Sequence, residues 1–347
     1  MGVLKVSDLG ATQLKNIAEP VRVYSLQVGL PAQAKPAAQL IDATTGGHLW
    51  AERFDRDLTD IFAVQDDVTA KIVSALAVSL SAGDRQSIAA EHTDNLEADD
   101  CFLRGRELFR RYAREANREA RSLLRRAIEL DLRFAPAYAY LASALVNDYA
   151  SGWSASPAQT VEEAEKTARQ AAQLDDRNPY ALLALAMACL WARRYDEALS
   201  AAEKVIAFNP NFAEGHTARG FVLHYVGRSE EALKCFERVV ALDPYFPGMW
   251  LHYQALAEYQ LGRYSAAVSL LKRRILRNPD TDASRAWLAA SLGQMGLIEE
   301  AREAWRELLC VNPEYSIEQR RKVLPYKNPD DFERFVEGLR KAGLPEA

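Results

Sequence analysis

Five histidines (His48, His92, His216, His224, His252) and four cysteines (Cys101, Cys189, Cys235, Cys310) are the side chains of this 347-residue sequence best suited to hold a metal or move a proton. Metal and redox sites draw their ligands from short fixed spacings such as His-Glu-x-x-His on a helix or Cys-x-x-Cys in a turn. None of the nine stands in such a spacing, so no resident metal or cofactor is expected. His224 and His252 could approach each other from neighbouring helices, where packing is the commoner role for histidine. The scattered cysteines read as reduced thiols. No Gly-x-Ser-x-Gly, phosphate loop or Gly-x-Gly-x-x-Gly occurs. Gly46-Gly47, between two alternating stretches, reads as a hairpin turn and not a phosphate cradle. Nine arginines against three glutamates from Arg104 to Arg126 could meet an acidic partner, but pairs such as Glu107–Arg111 make a solvated helix pair the plainer reading. A net charge of −5 gives no general attraction to nucleic acid or anionic membrane. No window reaches the ~20 apolar residues of a membrane span, and the first residues lack the basic-then-apolar layout expected of a signal peptide. A cytoplasmic location is expected.

The elements that would position any site are repeats. "GRSEEALKCFERVVALDP" (227–244) echoes "RRYDEALSAAEKVIAFNP" (193–210), and "GRYSAAVSLLKRRILRNP" (262–279) and "GLIEEAREAWRELLCVNP" (296–313) continue the series. The closing prolines Pro210, Pro244, Pro279 and Pro313 fall 34, 35 and 34 residues apart. Each unit predicts two helices, turning at Gly227, Gly262 or Gly296. Ala198, Ala232, Ala267 and Ala301 recur in the second helix, where a small side chain lets two helices cross closely. Ala186, Gly220, Ala255 and Ala289 answer them on the first helix. Phe236, Leu271 and Trp305 follow one turn after the alanines on the same face. Proline ends each unit by disfavouring helix in the residue before it. Divergent units continue upstream at "FLRGRELFRRY" with "EARSLLRRAIELDL", and at "PAYAYLASALVNDY" with "EEAEKTARQAAQLDD".

These motifs resemble the tetratricopeptide repeat. The resemblance implies a mainly α fold, a superhelix of about six helix pairs over residues 94–315, followed by C-terminal capping helices over 316–347. One such helix is expected in "NPDDFERFVEGLRKAGLPE", with Phe332, Phe335, Val336 and Leu339 on one face. In this family, first-helix positions line a concave inner surface. Carried onto this chain they are Tyr180, Met187, Trp191, Phe221, His224, Tyr225, Met249, His252 and Tyr259. Exposed together, such residues would form an apolar patch larger than monomers usually carry. Either a peptide or protein partner covers them, or the C-terminal helix or a helix over 60–80 folds back into the groove. The repeated Lys and Asn that family members use to clamp a C-terminal carboxylate are absent from these positions.

Residues 38–93 differ in kind. Gln39–Ala43 and His48–Phe54 alternate as strands around "TTGG", and Ile61, Val64, Val68, Ile72 and Leu76 have helical spacing. The stretch is similar to the second half of the small TolB-like α/β domain that precedes tetratricopeptide repeats in bacterial class III nucleotide cyclases. A Pro/Ala linker, residues 30–37, stands before it. "DLGATQLKNIAEPVRVYSL" (8–26) resembles the closing strands of the cyclase catalytic domain, making residues 1–29 a remnant of it. The strand Val21–Leu26 is free to pair with the edge at Gln39–Ala43. The family's metal-binding aspartates and transition-state Asn and Arg find no counterpart here; Asp8, Asp42 and Asp55 fit turns and strand ends. The expectation is a non-enzymatic interaction module, with a cyclase-related regulatory fragment as the alternative.

Overall fold

A computed structural model describes residues 93–243 and 248–344 in full and, before them, the backbone of four strands. The chain divides into two compact units, Met1–Asp94 and Asn95–Ala347. In the first, β1 (Leu4–Thr12) pairs antiparallel with β2 (Val21–Val28), and β3 (Ala37–Ile41) with β4 (His48–Arg53). Val6 lies opposite Leu26 and Leu40 opposite Trp50. The strand expected at Val21–Leu26 is present, but it pairs with β1 and not with the Gln39–Ala43 segment, which β4 takes. Each strand pairs with its neighbour in sequence, where loop closure costs least. The helix expected over 60–80, the "TTGG" turn and most of the linker lie outside the described residues.

The second unit holds fourteen helices among its described residues. They are α1 (Leu96–Arg110), α2 (Arg114–Leu130), α3 (Ala135–Ala150), α4 (Pro157–Leu174), α5 (Pro179–Trp191), α6 (Tyr195–Phe208) and α7 (Ala213–Tyr225). After them come α8 (Ser229–Leu242), α9 (Met249–Gln260), α10 (Tyr264–Arg277), α11 (Asp282–Gln294), α12 (Ile298–Val311), α13 (Ile317–Val323) and α14 (Pro329–Lys341). The first twelve form six antiparallel pairs, each first helix also packing on its neighbours in sequence. The recurring alanines explain the closeness of the pairs: Ala198, Ala232, Ala267 and Ala301 have no exposed surface, nor have Ala186, Ala255 and Ala289. Deleting or enlarging such side chains is felt directly, because interiors pack at crystal density.

The stops are local chemistry. Asn209, Asn278 and Asn312 cap the ends of α6, α10 and α12, and each side chain accepts the backbone N–H two residues on. In the fourth, fifth and sixth pairs the turn between helices runs through Gly227, Gly262 and Gly296 at φ of 84°, 74° and 75°, a left-handed conformation that costs glycine nothing. The third pair places Arg193 there, at φ 61°.

The arginines of Arg104–Arg126 pair across helices as well as along them. Arg121 meets Asp148 at 2.9 Å, Arg125 meets Glu163 at 2.8 Å and Arg126 meets Glu97 at 3.0 Å. The two exposed pairs, Arg125–Glu163 and Arg126–Glu97, contribute at most ~1 kcal/mol each.

Candidate functional site: the inner groove and its occupant

The inner face is built by the first helices, and the chain's own C-terminal segment lies on it. Residue by residue, Trp191, Phe221, His224, Tyr225, His252 and Tyr259 are buried, while Tyr180, Met187 and Met249 are half-buried. Tyr326, between α13 and α14, is the centre of the covering. Its ring sits 4.8 Å from that of Tyr225, and its hydroxyl shares a hydrogen bond with His224 Nε2 at 3.1 Å. Trp191 and Phe221 flank Tyr225 at 6.2 and 4.8 Å. Edge-to-face packing of this kind contributes ~0.5–1.5 kcal/mol per pair beyond area burial.

Polar contacts from the array reach mainly the backbone of the tail. The Arg193 guanidinium donates to the carbonyls of Lys322, Leu324 and Tyr326 at 3.2–3.3 Å, and Tyr195 Oη donates to the Tyr326 carbonyl. The Tyr225 carbonyl accepts the Lys327 N–H at 2.9 Å. Further along, Tyr259 Oη donates to the Arg334 carbonyl and Gln260 Nε2 to that of Asp331, both at 2.8 Å. The substitution of arginine for the turn glycine at position 193 thus has a use. The left-handed backbone costs a non-glycine residue ~1–2 kcal/mol, and its side chain holds three carbonyls of the tail.

α14 then packs on α11. Asn328 caps it by accepting the Asp330 N–H, and Phe332, Phe335, Val336 and Leu339 are buried as one face. Trp287 and Phe335 rings lie 4.4 Å apart. Gly293 and Gly338 meet where the two helices touch; a Cβ on Gly293 would strike the Gly338 carbonyl.

Burial sets the electrostatics. His224 and His252 are held down to about 3, by desolvation first and then by His252 acting on His224, and by Arg274 and Arg320 acting on His252. Both are therefore neutral at pH 7. Desolvation also pushes the Tyr225, Tyr259 and Tyr326 phenols well above their ordinary range. His252 Nδ1 bonds Ser284 Oγ at 3.0 Å, so the two histidines have separate partners and share none. Among the described residues no three His, Cys, Asp or Glu side chains gather as metal ligands would. Cys101, Cys189 and Cys235 are buried free thiols, and Cys310 is exposed.

Of the nine inner-face residues named from sequence, Trp191, Phe221, His224, Tyr225 and Tyr259 come together beneath the tail. Met249 and His252 border a separate cavity. Tyr180 lies between Tyr140 and Phe212, at 5.7 and 5.6 Å. Arg193, Tyr195 and Gln260, which grip the tail backbone, were not foreseen. The one signal was Arg193 standing where the three following units have glycine.

The array is a tetratricopeptide-repeat superhelix: residues 158–220 and 213–246 each match a family profile described as Tetratricopeptide repeat. The chain is also 43% identical over 307 residues to "Putative adenylate cyclase 3" of Rhizobium meliloti (strain 1021), a match covering 88% of this chain and 52% of that protein. It spans about half the length of that curated relative. In fold it is similar to a chain of the APC/C hetero-tetramer Cut9-Hcn1, with a TM-score of 0.52 at 15% identity over 77% of this chain and 54% of that one. A thermophilic TPR protein of Thermus thermophilus, TTC0263, gives a TM-score of 0.46 at 19% identity, covering 56% of this chain and 98% of its own. No helix among the described residues is long and apolar enough to cross a membrane.

Proposed function

We propose that the chain is a non-catalytic interaction module whose inner groove takes a peptide segment through its backbone, and that residues 316–344 hold that place until a partner segment displaces them. The observation that carries this reading is the mode of contact. Arg193, Tyr195, Tyr225, Tyr259 and Gln260 address backbone groups of the tail, which any peptide of similar path possesses, while one aromatic side chain, Tyr326, supplies the anchor. Backbone contacts give affinity and pockets give specificity in peptide-binding grooves. The fitting partner is a short segment with a tyrosine or phenylalanine at the position of Tyr326.

Tyr326→Ala combined with Phe335→Ala should open the groove. The opened chain is expected to bind a labelled synthetic peptide of residues 316–344 about tenfold more tightly than the parent does, a shift of ~1.4 kcal/mol. Equal affinity for parent and folded variant would remove the groove from consideration.

A second reading, a regulatory segment of an adenylate cyclase, is favoured by the relative's name and the 43% identity to it. Under the first reading, purified chain with ATP and Mn²⁺ forms no cyclic nucleotide. Turnover that co-purifies with the folded chain would put the second reading in its place.

A further inference from the structure

Arg274 breaks the repeat. Five residues before the end of each second helix's unit, the array places Ala127, Ala171, Val205, Val239 and Leu308, none with more than 1% of its surface exposed. The fifth pair has Arg274 there, also buried, at 5% exposure. Its Nε is enclosed without a partner, and no carboxylate among the described residues lies within ion-pair distance of its guanidinium. An isolated buried charge is among the most costly features a fold can carry. Desolvation accordingly pushes Arg274 below its ordinary range, with the Tyr253 and Tyr112 phenols as the groups that oppose it.

The guanidinium faces a cavity of about 550 Å³, within the range of small-molecule sites. Across it stand Tyr112 and Trp153, whose rings lie 5.7 Å apart, with Tyr112 in the left-handed region at φ 46° and half exposed. Arg111 and Arg320 also border the space. So do two carboxylates. Asp282 is engaged, accepting the Ala283 N–H at 2.6 Å and Asn312 Nδ2 at 2.8 Å, with Arg320 at 3.5 Å. Asp280 is exposed at the rim. The beginnings of α9 and α11, Met249 and Asp282–Ala283, open onto the same space and add the positive ends of two helices.

We infer that this cavity binds a small organic oxyanion, whose phosphate or carboxylate oxygens pair with Arg274 and whose aromatic body lies against Tyr112 and Trp153. Guanidinium forks match both groups in plane and charge, and the aromatic wall selects ligands with a ring over a bare ion. The site lies beside the groove beneath the tail and shares Arg320 with the tail; Arg274 and Tyr112 hold no part of the tail, so variants at these two residues test this proposal apart from the first.

The test is calorimetric titration of the intact chain with phenyl phosphate, phenylacetate and inorganic phosphate. Phenyl phosphate or phenylacetate should bind, the tighter of the two naming the anion, and inorganic phosphate should bind about tenfold more weakly than phenyl phosphate. Arg274→Met, which restores an apolar residue to the repeat position, should abolish binding while leaving the ligand-free melting temperature unchanged or higher. Tyr112→Ala should weaken phenyl phosphate and leave inorganic phosphate unaffected. The proposal is overturned if neither aromatic anion binds, if R274M binds as the parent does, or if R274M melts lower than the parent, which would make Arg274 a structural residue. Uptake of an acidic peptide in preference to phenyl phosphate would overturn it as well.

Discussion

Gly338→Ala is expected to lift α14 from the array and lower the melting temperature by several degrees. A Cβ at Gly338 would stand 2.5 Å from the Ala290 carbonyl oxygen and 2.6 Å from Tyr259 Oη. Neither wall can retreat. Ala290 belongs to the backbone of α11, and Tyr259 is fully buried with its hydroxyl committed to the Arg334 carbonyl. Overpacking of a close-packed contact costs ~1–3 kcal/mol. If α14 leaves altogether, Phe332, Phe335, Val336 and Leu339 lose their cover, at ~1.5–3 kcal/mol for each large side chain. In a chain of this size 1 kcal/mol moves the melting point by ~2–4 °C, so a loss of ~3 kcal/mol is read as ~6–12 °C. Calorimetry measures that directly, and trypsin should cut the variant first within 327–341. A variant with the parent's melting point and cleavage pattern would show that α14 does not depend on this contact.

Acidification should destabilise the array well above the pH at which its carboxylates titrate. His224 and His252 sit at about 3 in the folded chain because burial disfavours their charged forms, against ~6.5 when unfolded. Between those values the unfolded chain binds more protons, so stability falls as pH falls from ~6.5 towards 3. At pH 5 each histidine contributes a loss on the order of 2 kcal/mol, about 4 for the pair. Asp331, whose carboxyl burial raises, works in the opposite direction but only near its own, lower range. Urea midpoints at pH 7 and pH 5 measure the effect. His224→Gln with His252→Gln should flatten the difference, since glutamine stays neutral throughout. An equal pH dependence in parent and double variant would refute the assignment.

The repeat architecture was legible because it rests on local rules repeated many times. Alanine at the crossing, glycine in the turn and Asn-Pro at the stop each have one physical meaning, and the fully buried Ala198, Ala232, Ala267 and Ala301 bear it out. The apolar face of α14 was equally plain from Phe332, Phe335, Val336 and Leu339. The seat of the tail was not. Its grip comes from side chains reaching backbone carbonyls 129–133 residues away, and a carbonyl leaves no mark in a sequence. Arg274 was hidden for a different reason. Within Lys272-Arg273-Arg274 it reads as one more solvated charge, and only its phase relative to Ala267 and Leu271 sets it on the buried face. The strand pairing at the N-terminus was misjudged because β1, as close in sequence to Val21–Leu26 as the Gln39–Ala43 segment is, takes that strand, and no local rule ranks the two partners.

The path of the tail changes what kind of material the array is. A string of repeats that touch only their neighbours behaves as a one-dimensional chain and frays from its ends. Here Arg320 donates to the Ala150 carbonyl at 3.0 Å across 170 residues, and Arg193 and His224 hold Tyr326 across more than 100. The last pairs cannot loosen without breaking contacts made to the second, third and fourth. Such long-range ties turn a sequence of partial meltings into one cooperative transition, and slow the search for the native state by raising contact order. The stapled spring resists unwinding as a unit, and it yields as a unit when the staple is drawn.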